Sequence, residues 1–160
     1  MSPELLNNTI QFVKQTLKNA EGGHDWWHTY RVWNNTKKIL KNEKADETVC
    51  ELAALLHDIA DHKFHNMGKD YGANIAEKFL KKQNLSPDKI QQIKYIIRNI
   101  SFSSEIDAEP EKNIEFQIVQ DSDRLDALGA IGIARCFTVG GSLIRPLYAP
   151  EDPFCENRKP

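Results

Sequence analysis

The chain has 160 residues, of which 40% are hydrophobic and 28% charged, and this composition fits one globular domain. Its 21 basic and 23 acidic residues give a formal net charge of -2 without a basic run, which argues against a long nucleic acid as partner. No apolar stretch is long enough to span a membrane, and the first residues lack the basic start and apolar core of a secretory signal. The cysteines, Cys50, Cys136 and Cys155, form no Cys-x-x-Cys pair, which argues against a disulfide framework and a thiolate zinc site and predicts a cytoplasmic protein.

Hydrophobic periodicity predicts a succession of α-helices in the first part of the chain. Apolar residues at steps of three and four predict a first helix over residues 5–17. A second helix is expected to start near Asp25, whose side chain can cap it. A third is expected from Val49 to Ala60 with Asp46 as its cap. It is apolar almost all round, which is typical of a central buried helix.

The second part of the chain continues in the same way. Its expected segments are a polar loop over residues 62–72, a helix over 73–80, a helix opened by Ser86-Pro87, and an acidic loop over 101–113. One further helix is predicted from Ile114 to Phe137, ending at Gly140-Gly141, with an irregular tail from about residue 140. Since no strand run or repeat is found, the predicted fold class is all-α, with residues 1–160 forming one domain.

His57 and Asp58 stand at the end of the apolar run Leu-Ala-Ala-Leu-Leu. An ionised aspartate in an apolar helix is unfavourable unless it is compensated, and metal coordination is one compensation. Adjacent helix positions lie about 100° apart, so both side chains can reach one point, but further ligands must come from other helices. The available ligands are His28, on a core-facing position, and the carboxylates of Asp121, Asp123 and Asp126, which form an acidic patch.

These residues also have ordinary structural explanations. A histidine on an apolar face is more often a hydrogen-bonded core residue than a ligand, and an aspartate such as Asp121 is often a helix cap. His57-Asp58 could instead form a buried ion pair with Arg31 or Arg124. Spacing alone therefore leaves both interpretations open. Two imidazoles with two carboxylates would suit Mn, Mg, Co, Ni, Fe or Zn as the divalent ion.

Three sequence blocks in this order carry a recognisable pattern. They read His24-Asp-Trp-Trp-His-Thr-Tyr-Arg-Val32, Leu55-Leu-His-Asp-Ile-Ala-Asp-His-Lys-Phe64 and Val119-Gln-Asp-Ser-Asp-Arg-Leu-Asp-Ala-Leu-Gly129. From about His24 to Tyr148 the chain resembles the HD superfamily of metal-dependent phosphohydrolases, most closely the bacterial stand-alone HD-domain hydrolases. The resemblance implies a compact helical bundle with a metal site between its central helices. Members of that family usually continue with further helical sequence beyond the glycine pair.

The resemblance also implies a ligand set and an activity. Its metal ligands fall on His28, His57, Asp58 and Asp123, with Asp121 as the rival for the fourth position. Because residues two apart on a helix point roughly 200° from each other, one ion is not expected to take both aspartates. The implied reaction is hydrolysis of a phosphate ester or anhydride of a small molecule, with a nucleotide as the expected substrate, by metal-activated water. The alternative is a non-catalytic module that binds a metal and senses a nucleotide.

Further polar residues near the motifs are candidates for catalysis and substrate binding. Besides the ligand Asp58, Asp61 could orient the attacking water or act as general base, or could be a solvated residue at the helix end. Phosphate-binding candidates, each of which could instead be exposed or paired with a carboxylate, are Lys63, Arg31, Arg124, His24 and Arg145. A second metal at His62 and His65 is not expected. The tryptophans Trp26, Trp27 and Trp33 could stack a nucleobase, although such residues on amphipathic helices belong mostly to cores. The oligomeric state is not predicted.

Overall fold

A computed structural model describes residues 1–20, 23–59, 70–101, 110–148 and 150–154. Within these ranges the chain forms seven α-helices and no strand, which confirms the all-α fold class. The helices are α1 (Pro3–Thr16), α2 (Trp26–Ile39), α3 (Glu47–Leu56), α4 (Tyr71–Lys82), α5 (Pro87–Asn99), α6 (Ile114–Asp126) and α7 (Gly129–Ser142). None of these described helices has the length and apolar character needed to cross a membrane. The assignment of residues 1–160 to one domain stays a prediction.

Helix α3 lies at the centre of the hydrophobic core, as its all-round apolar sequence predicts. It packs against α1, α2, α5 and α6. Its side chains from Leu52 to Leu56 are completely buried. Full burial of one leucine stabilises the fold by about 1.5–3 kcal/mol relative to an exposed position. This packing holds the C-terminal end of α3, and with it the residues that follow, against α2 and α6.

The starts of α2 and α3 are capped by aspartates, as predicted. The Asp25 side chain accepts a hydrogen bond from the backbone N–H of His28 at 2.9 Å, at the start of α2. Asp46 accepts from the N–H of Val49 at 3.1 Å at the start of α3. Each cap satisfies a helix N–H that has no partner within the helix. The cap on α2 also fixes the backbone of His28.

Two other caps differ from the expectation. Ser86 precedes Pro87 at the start of α5, but its side chain makes no capping hydrogen bond. Helix α6 is capped by Asn113, which accepts from the N–H of Phe116 at 2.9 Å. Asp121 lies well inside α6 and is exposed, so its interpretation as a cap is wrong.

Helix α3 is shorter than the predicted segment from Val49 to Ala60. The helix ends at Leu56, His57 is its C-terminal cap residue, and Asp58 lies in the turn that follows. The two side chains are therefore not carried by one continuous helix. Because the turn redirects the backbone, both can reach the same pocket.

The predicted helix from Ile114 to Phe137 is two helices. Helix α6 ends at Asp126, and α7 begins at Gly129, whose φ of 65° lies in the left-handed region that glycine adopts without strain. The pair Gly140-Gly141 lies in the last turn of α7 rather than after the helix. Although α7 is apolar in sequence, none of its residues is buried. The described residues beyond Ser142 form turns and irregular structure.

Candidate metal centre

Three parts of the fold bring the proposed ligands together. His28 lies in the first turn of α2, His57 and Asp58 lie in the turn after α3, and Asp123 lies in the last turn of α6. These three helices pack against one another in all three pairings. His28 and His57 are almost completely buried, with 1% and 4% of their side chains exposed. The exposed fraction is 12% for Asp58 and 31% for Asp123, so the site opens on the side of Asp123.

The polar atoms of the four residues converge on Nε2 of His28. His57 Nε2 lies 3.3 Å from this nitrogen, Asp123 Oδ1 lies 3.4 Å away and Asp58 Oδ2 lies 3.7 Å away. Asp123 Oδ1 is also 3.8 Å from Nε2 of His57. The ligand atoms offered by His28, His57 and Asp58 all lie within 4.8 Å of one another.

The hydrogen bond of His57 determines what its other ring nitrogen presents to this cluster. Nδ1 of His57 lies 2.8 Å from the carbonyl oxygen of Ala54. Because a carbonyl oxygen can only accept, Nδ1 carries the hydrogen, and in the neutral ring Nε2 presents a lone pair. That lone pair faces the Nε2 of His28 and the carboxylate of Asp123. These acceptor atoms can lie this close together without repulsion only if a cation or a proton lies between them.

Asp58 also has an acceptor atom that lacks a hydrogen-bond donor. Its Oδ2 atom is buried, and no hydrogen-bond donor contacts it among the described residues. A buried carboxylate oxygen without a partner is strongly unfavourable, because its desolvation is not compensated. Arg31, one of the two ion-pair partners expected for His57-Asp58, pairs with Asp126 instead. The donor set of imidazole nitrogens and carboxylate oxygens fits a divalent transition metal or Mg²⁺.

The electrostatic state of the cluster agrees with this fit. Burial lowers the pKa of His28, but hydrogen bonds to Asp123 and Asp126 and the charge of Asp58 outweigh it and raise the pKa to about 9. Burial acts to raise the pKa of Asp123, yet the hydrogen bond to His28 and the nearby imidazoles hold it well below its usual range. Asp123 is therefore ionised at neutral pH, and the pocket favours a positive charge beside Nε2 of His28.

The other residues that the sequence suggested for substrate binding or catalysis lie in different surroundings. The His24 ring lies beside that of His28, with centroids 6.1 Å apart in an edge-on arrangement. Arg31 is engaged with Asp126, which is the alternative that the sequence left open. Arg124 is exposed on α6, and Arg145 is exposed in the turn after α7. Asp61, His62, Lys63 and His65 lie outside the described residues.

The tryptophans divide into core and surface positions. Trp33 is buried and donates to Glu51 at 2.7 Å, so it belongs to the core. Trp26 is half-buried against the core. Trp27, with 61% of its surface exposed, is the one whose ring is accessible. Burial thus removes Trp33 from the residues that could stack on a base.

The sequence indicates Asp126 only as a possible ligand in the acidic patch of α6, and it does not indicate Arg135. Asp126 is buried, and its Oδ2 lies 2.8 Å from Nδ1 of His28. Arg135 of α7 donates to the same oxygen at 3.3 Å. Asp126 follows Asp123 by three residues, so helical spacing puts both on one face of α6, and this was the available signal. No local signal pointed to Arg135.

Comparisons with known proteins agree with this geometry. Residues 26–128 match the family model of the HD domain. The Bacillus subtilis protein YpgQ, itself uncharacterized, is 35% identical over 142 residues, which cover 88% of this chain and 68% of YpgQ. The crystal structure of YpgQ in complex with ADP has a TM-score of 0.71 at 30% identity and covers 91% of this chain and 73% of that one.

Two further crystal structures show the same fold. A Lactobacillus plantarum protein has a TM-score of 0.82 at 31% identity, covering 94% of this chain and 69% of that one. A Bacillus thuringiensis protein described as an HD-superfamily hydrolase has a TM-score of 0.70 at 37% identity, covering 92% and 71% of the two chains. With a family model that matches most of its length and a histidine–aspartate cluster between three helices, this chain belongs to the HD domain family.

Proposed function

We propose that this protein is a metal-dependent phosphohydrolase that cleaves a phosphate ester or anhydride of a small molecule. One observation carries the proposal. Two imidazole nitrogens and two carboxylates converge between three helices, and the buried Oδ2 of Asp58 has no hydrogen-bond donor among the described residues. A proton or a cation can satisfy this set of acceptors, and a divalent metal ion is the partner that we propose.

His28, His57, Asp58 and Asp123 are the residues that would hold the ion. Their mixed nitrogen and oxygen set is compatible with Mn, Mg, Co, Ni, Fe or Zn. When bound, a divalent ion would supply a Lewis acid that polarises a phosphoryl oxygen and lowers the pKa of water. Four protein ligands would leave open positions on an ion that takes more than four ligands.

The burial of the four side chains supports a direction of approach for the substrate. Since Asp123 is the most exposed of them, a phosphate group and the attacking water would enter beside it. We also propose His24, whose ring lies next to that of His28, as a substrate contact. We further propose Asp61 as general base and Lys63 as a phosphate contact, on the basis of their positions in the sequence.

A nucleotide is the substrate that we favour. Support comes from YpgQ, a relative that was crystallised with ADP. The formal net charge of -2 and the lack of a basic run speak against a long nucleic acid. The odd number and wide spacing of the cysteines support the cytoplasm as the place where this occurs.

The test is a metal-by-substrate screen on protein that has first been stripped with a chelator. Nucleoside mono-, di- and triphosphates and a generic phosphate ester are each incubated with Mn²⁺, Mg²⁺, Co²⁺, Ni²⁺, Fe²⁺ or Zn²⁺, and released phosphate is measured. We expect hydrolysis that depends on the added metal. Asp58→Asn keeps the shape of the side chain but removes its charge, and should reduce the rate to background. Asp88→Asn, an exposed aspartate at the start of α5, is the matched control.

Two results would contradict the proposal. Hydrolysis by Asp58→Asn at the wild-type rate would show that the cluster is not the catalytic site. Stoichiometric binding of metal and nucleotide without turnover under any of the conditions would favour the alternative, a module that senses a nucleotide.

A further inference from the structure

Asp126 is a buried carboxylate with an unusually complete set of donors. Its side chain is 4% exposed. Arg31 contacts it with two nitrogens, Nε to Oδ1 at 2.6 Å and one terminal nitrogen to Oδ2 at 3.0 Å. Arg135 donates to Oδ2 at 3.3 Å, and Nδ1 of His28 lies 2.8 Å from the same oxygen. Both carboxylate oxygens are therefore engaged.

We infer that Asp126, clamped by Arg31 and Arg135, is a positioning residue that keeps the proton of His28 on Nδ1 and directs its Nε2 into the metal cluster. The inference rests on the proposed function and adds the residues that hold the ring of His28, a proposed metal ligand, in position. Asp126 is not itself a ligand, because it contacts the ring nitrogen that faces away from the cluster. A carboxylate on the second ring nitrogen is a common way to fix a histidine ligand.

The two arginines give the buried carboxylate of Asp126 partners of opposite charge. Arg31 donates to both of its oxygens and Arg135 donates to Oδ2. The planar guanidinium of Arg31 binds both oxygens at once, which fixes the plane of the carboxylate. A fixed plane determines in turn the direction of the hydrogen bond to His28.

Arg135 extends the clamp to two further parts of the fold. Its Nε donates to the carbonyl oxygen of Gly23 at 2.9 Å, immediately before the residues that open α2. Its side chain is 18% exposed although α7 contains no buried residue, so this contact connects α7 to the site. The start of α2 is thus held both by the Asp25 cap and by Arg135. Together they leave His28 little freedom to turn.

The experiment compares wild type with Asp126→Ala, with Asp88→Ala as the matched control for loss of one aspartate charge. The substitution removes both acceptor oxygens, so no carboxylate remains to hold the ring hydrogen of His28 on Nδ1. The carboxylate of Asp123, 3.4 Å from Nε2, then favours the hydrogen on Nε2, where it blocks metal coordination. Co²⁺ affinity is measured by competition with a chelator. The protonated ring nitrogen of His28 is identified by ¹⁵N NMR on metal-free protein at alkaline pH, where the imidazole is neutral.

For Asp126→Ala we expect a loss of Co²⁺ affinity of about 10- to 100-fold relative to Asp88→Ala. We also expect the ring hydrogen of His28 on Nδ1 in wild type and on Nε2 in the variant. Affinity and proton position unchanged in a folded Asp126→Ala protein would overturn the inference. If wild type itself binds no Co²⁺, the proposed function fails, while the NMR measurement still decides the position of the proton.

A second variant protects the test against misfolding. Arg31 is 34% exposed, so Arg31→Gln removes one half of the clamp without burying a new charge. It should lower Co²⁺ affinity, but by less than Asp126→Ala does. An Arg31→Gln protein with wild-type affinity would contradict the role of the clamp. Circular dichroism establishes that each variant is folded before affinity is compared.

Discussion

At the scale of single residues, the site depends on which atoms of each side chain are already engaged. Nδ1 of His57 is bound to a backbone carbonyl, and Nδ1 of His28 is bound to Asp126. Both rings therefore direct Nε2 into the pocket, where Asp58 and Asp123 add carboxylate oxygens. The chemistry follows from these orientations more than from the presence of histidines and aspartates as such.

The choice between Asp123 and Asp121 as fourth ligand is testable at this scale. Asp123 Oδ1 lies 3.4 Å from Nε2 of His28, whereas Asp121 is exposed and lies roughly 200° away around α6. We expect Asp123→Asn to lower Mn²⁺ affinity by about 10-fold or more, and Asp121→Asn to leave it near the wild-type value. Titration calorimetry on metal-stripped protein measures both. The reverse order of the two affinities would make Asp121 the ligand.

At the scale of helices, the ends contribute more to the site than the middles. The proposed metal ligands lie in the first turn of α2, the turn after α3 and the last turn of α6. Caps therefore act on function as well as on stability. The Asp25 cap is the clearest case, since the N–H that it accepts is that of His28.

The capping interaction predicts a difference between two helix starts. Asp25→Ala removes a side-chain hydrogen bond and should lower the free energy of unfolding by about 1 kcal/mol. Ser86→Ala is the control, since Ser86 stands at the same position of α5 without a capping bond, and its effect should be a few tenths of a kcal/mol at most. Urea denaturation of metal-free protein measures both. Equal destabilisation by the two substitutions would contradict this account.

The pairing of α4 with α5 predicts a pH dependence. The hydrogen bond from Lys81 and then that from Lys94 lower the pKa of Glu77 to about 2. A carboxyl whose pKa is lower in the folded state stabilises the fold above its unfolded pKa, and this contribution is lost as the pH falls through the folded value. Glu77→Gln should therefore be less stable than wild type at pH 7, by at most about 1 kcal/mol for such a surface pair.

The difference between wild type and Glu77→Gln should shrink as the pH falls from about 4.5 towards 2. Thermal unfolding of the two proteins across this range measures it. Glu111→Gln, a change at an exposed carboxylate outside the helices, serves as the control. A constant difference at all pH values would mean that the charge of Glu77 is not responsible.

At the scale of the whole molecule, the site joins segments that are distant in the sequence. The contact between His28 and Asp126 spans 98 residues, and that between Arg135 and Gly23 spans 112. A bound ion would therefore act as a cross-link between α2, α3 and α6. Metal binding and folding should be coupled, because the unfolded chain does not hold these ligands together.

This coupling predicts that metal stabilises the fold. At a free metal concentration 100 times the dissociation constant, stability should rise by about 2.7 kcal/mol, which increases Tm by several degrees. The measurement compares thermal unfolding of stripped protein with and without Mn²⁺. In Asp58→Asn the increase should be abolished or much reduced. An equal increase in that variant would show that the ion binds elsewhere.

The sequence was informative wherever the deciding interactions are local. Helical periodicity identified the buried character of α3, and the caps at Asp25 and Asp46 followed from residue type and position. Prediction failed at helix boundaries. The end of α3 at Leu56 and the break before Gly129 depend on packing between helices, which outweighs a helical pattern that continues in the sequence.

For the site, the sequence predicted the types of the proposed ligand residues and, through the order of three motif blocks, indicated the family. The tertiary structure then settled which atoms lie close together. It assigned Arg31 to Asp126 and revealed Arg135, a residue of α7, as a second partner. The physical reason is the separation in sequence between the residues that interact. A cap or a helical face is fixed within one or two turns, whereas the orientation of His28 is fixed by contacts from helices that are adjacent only in the folded chain.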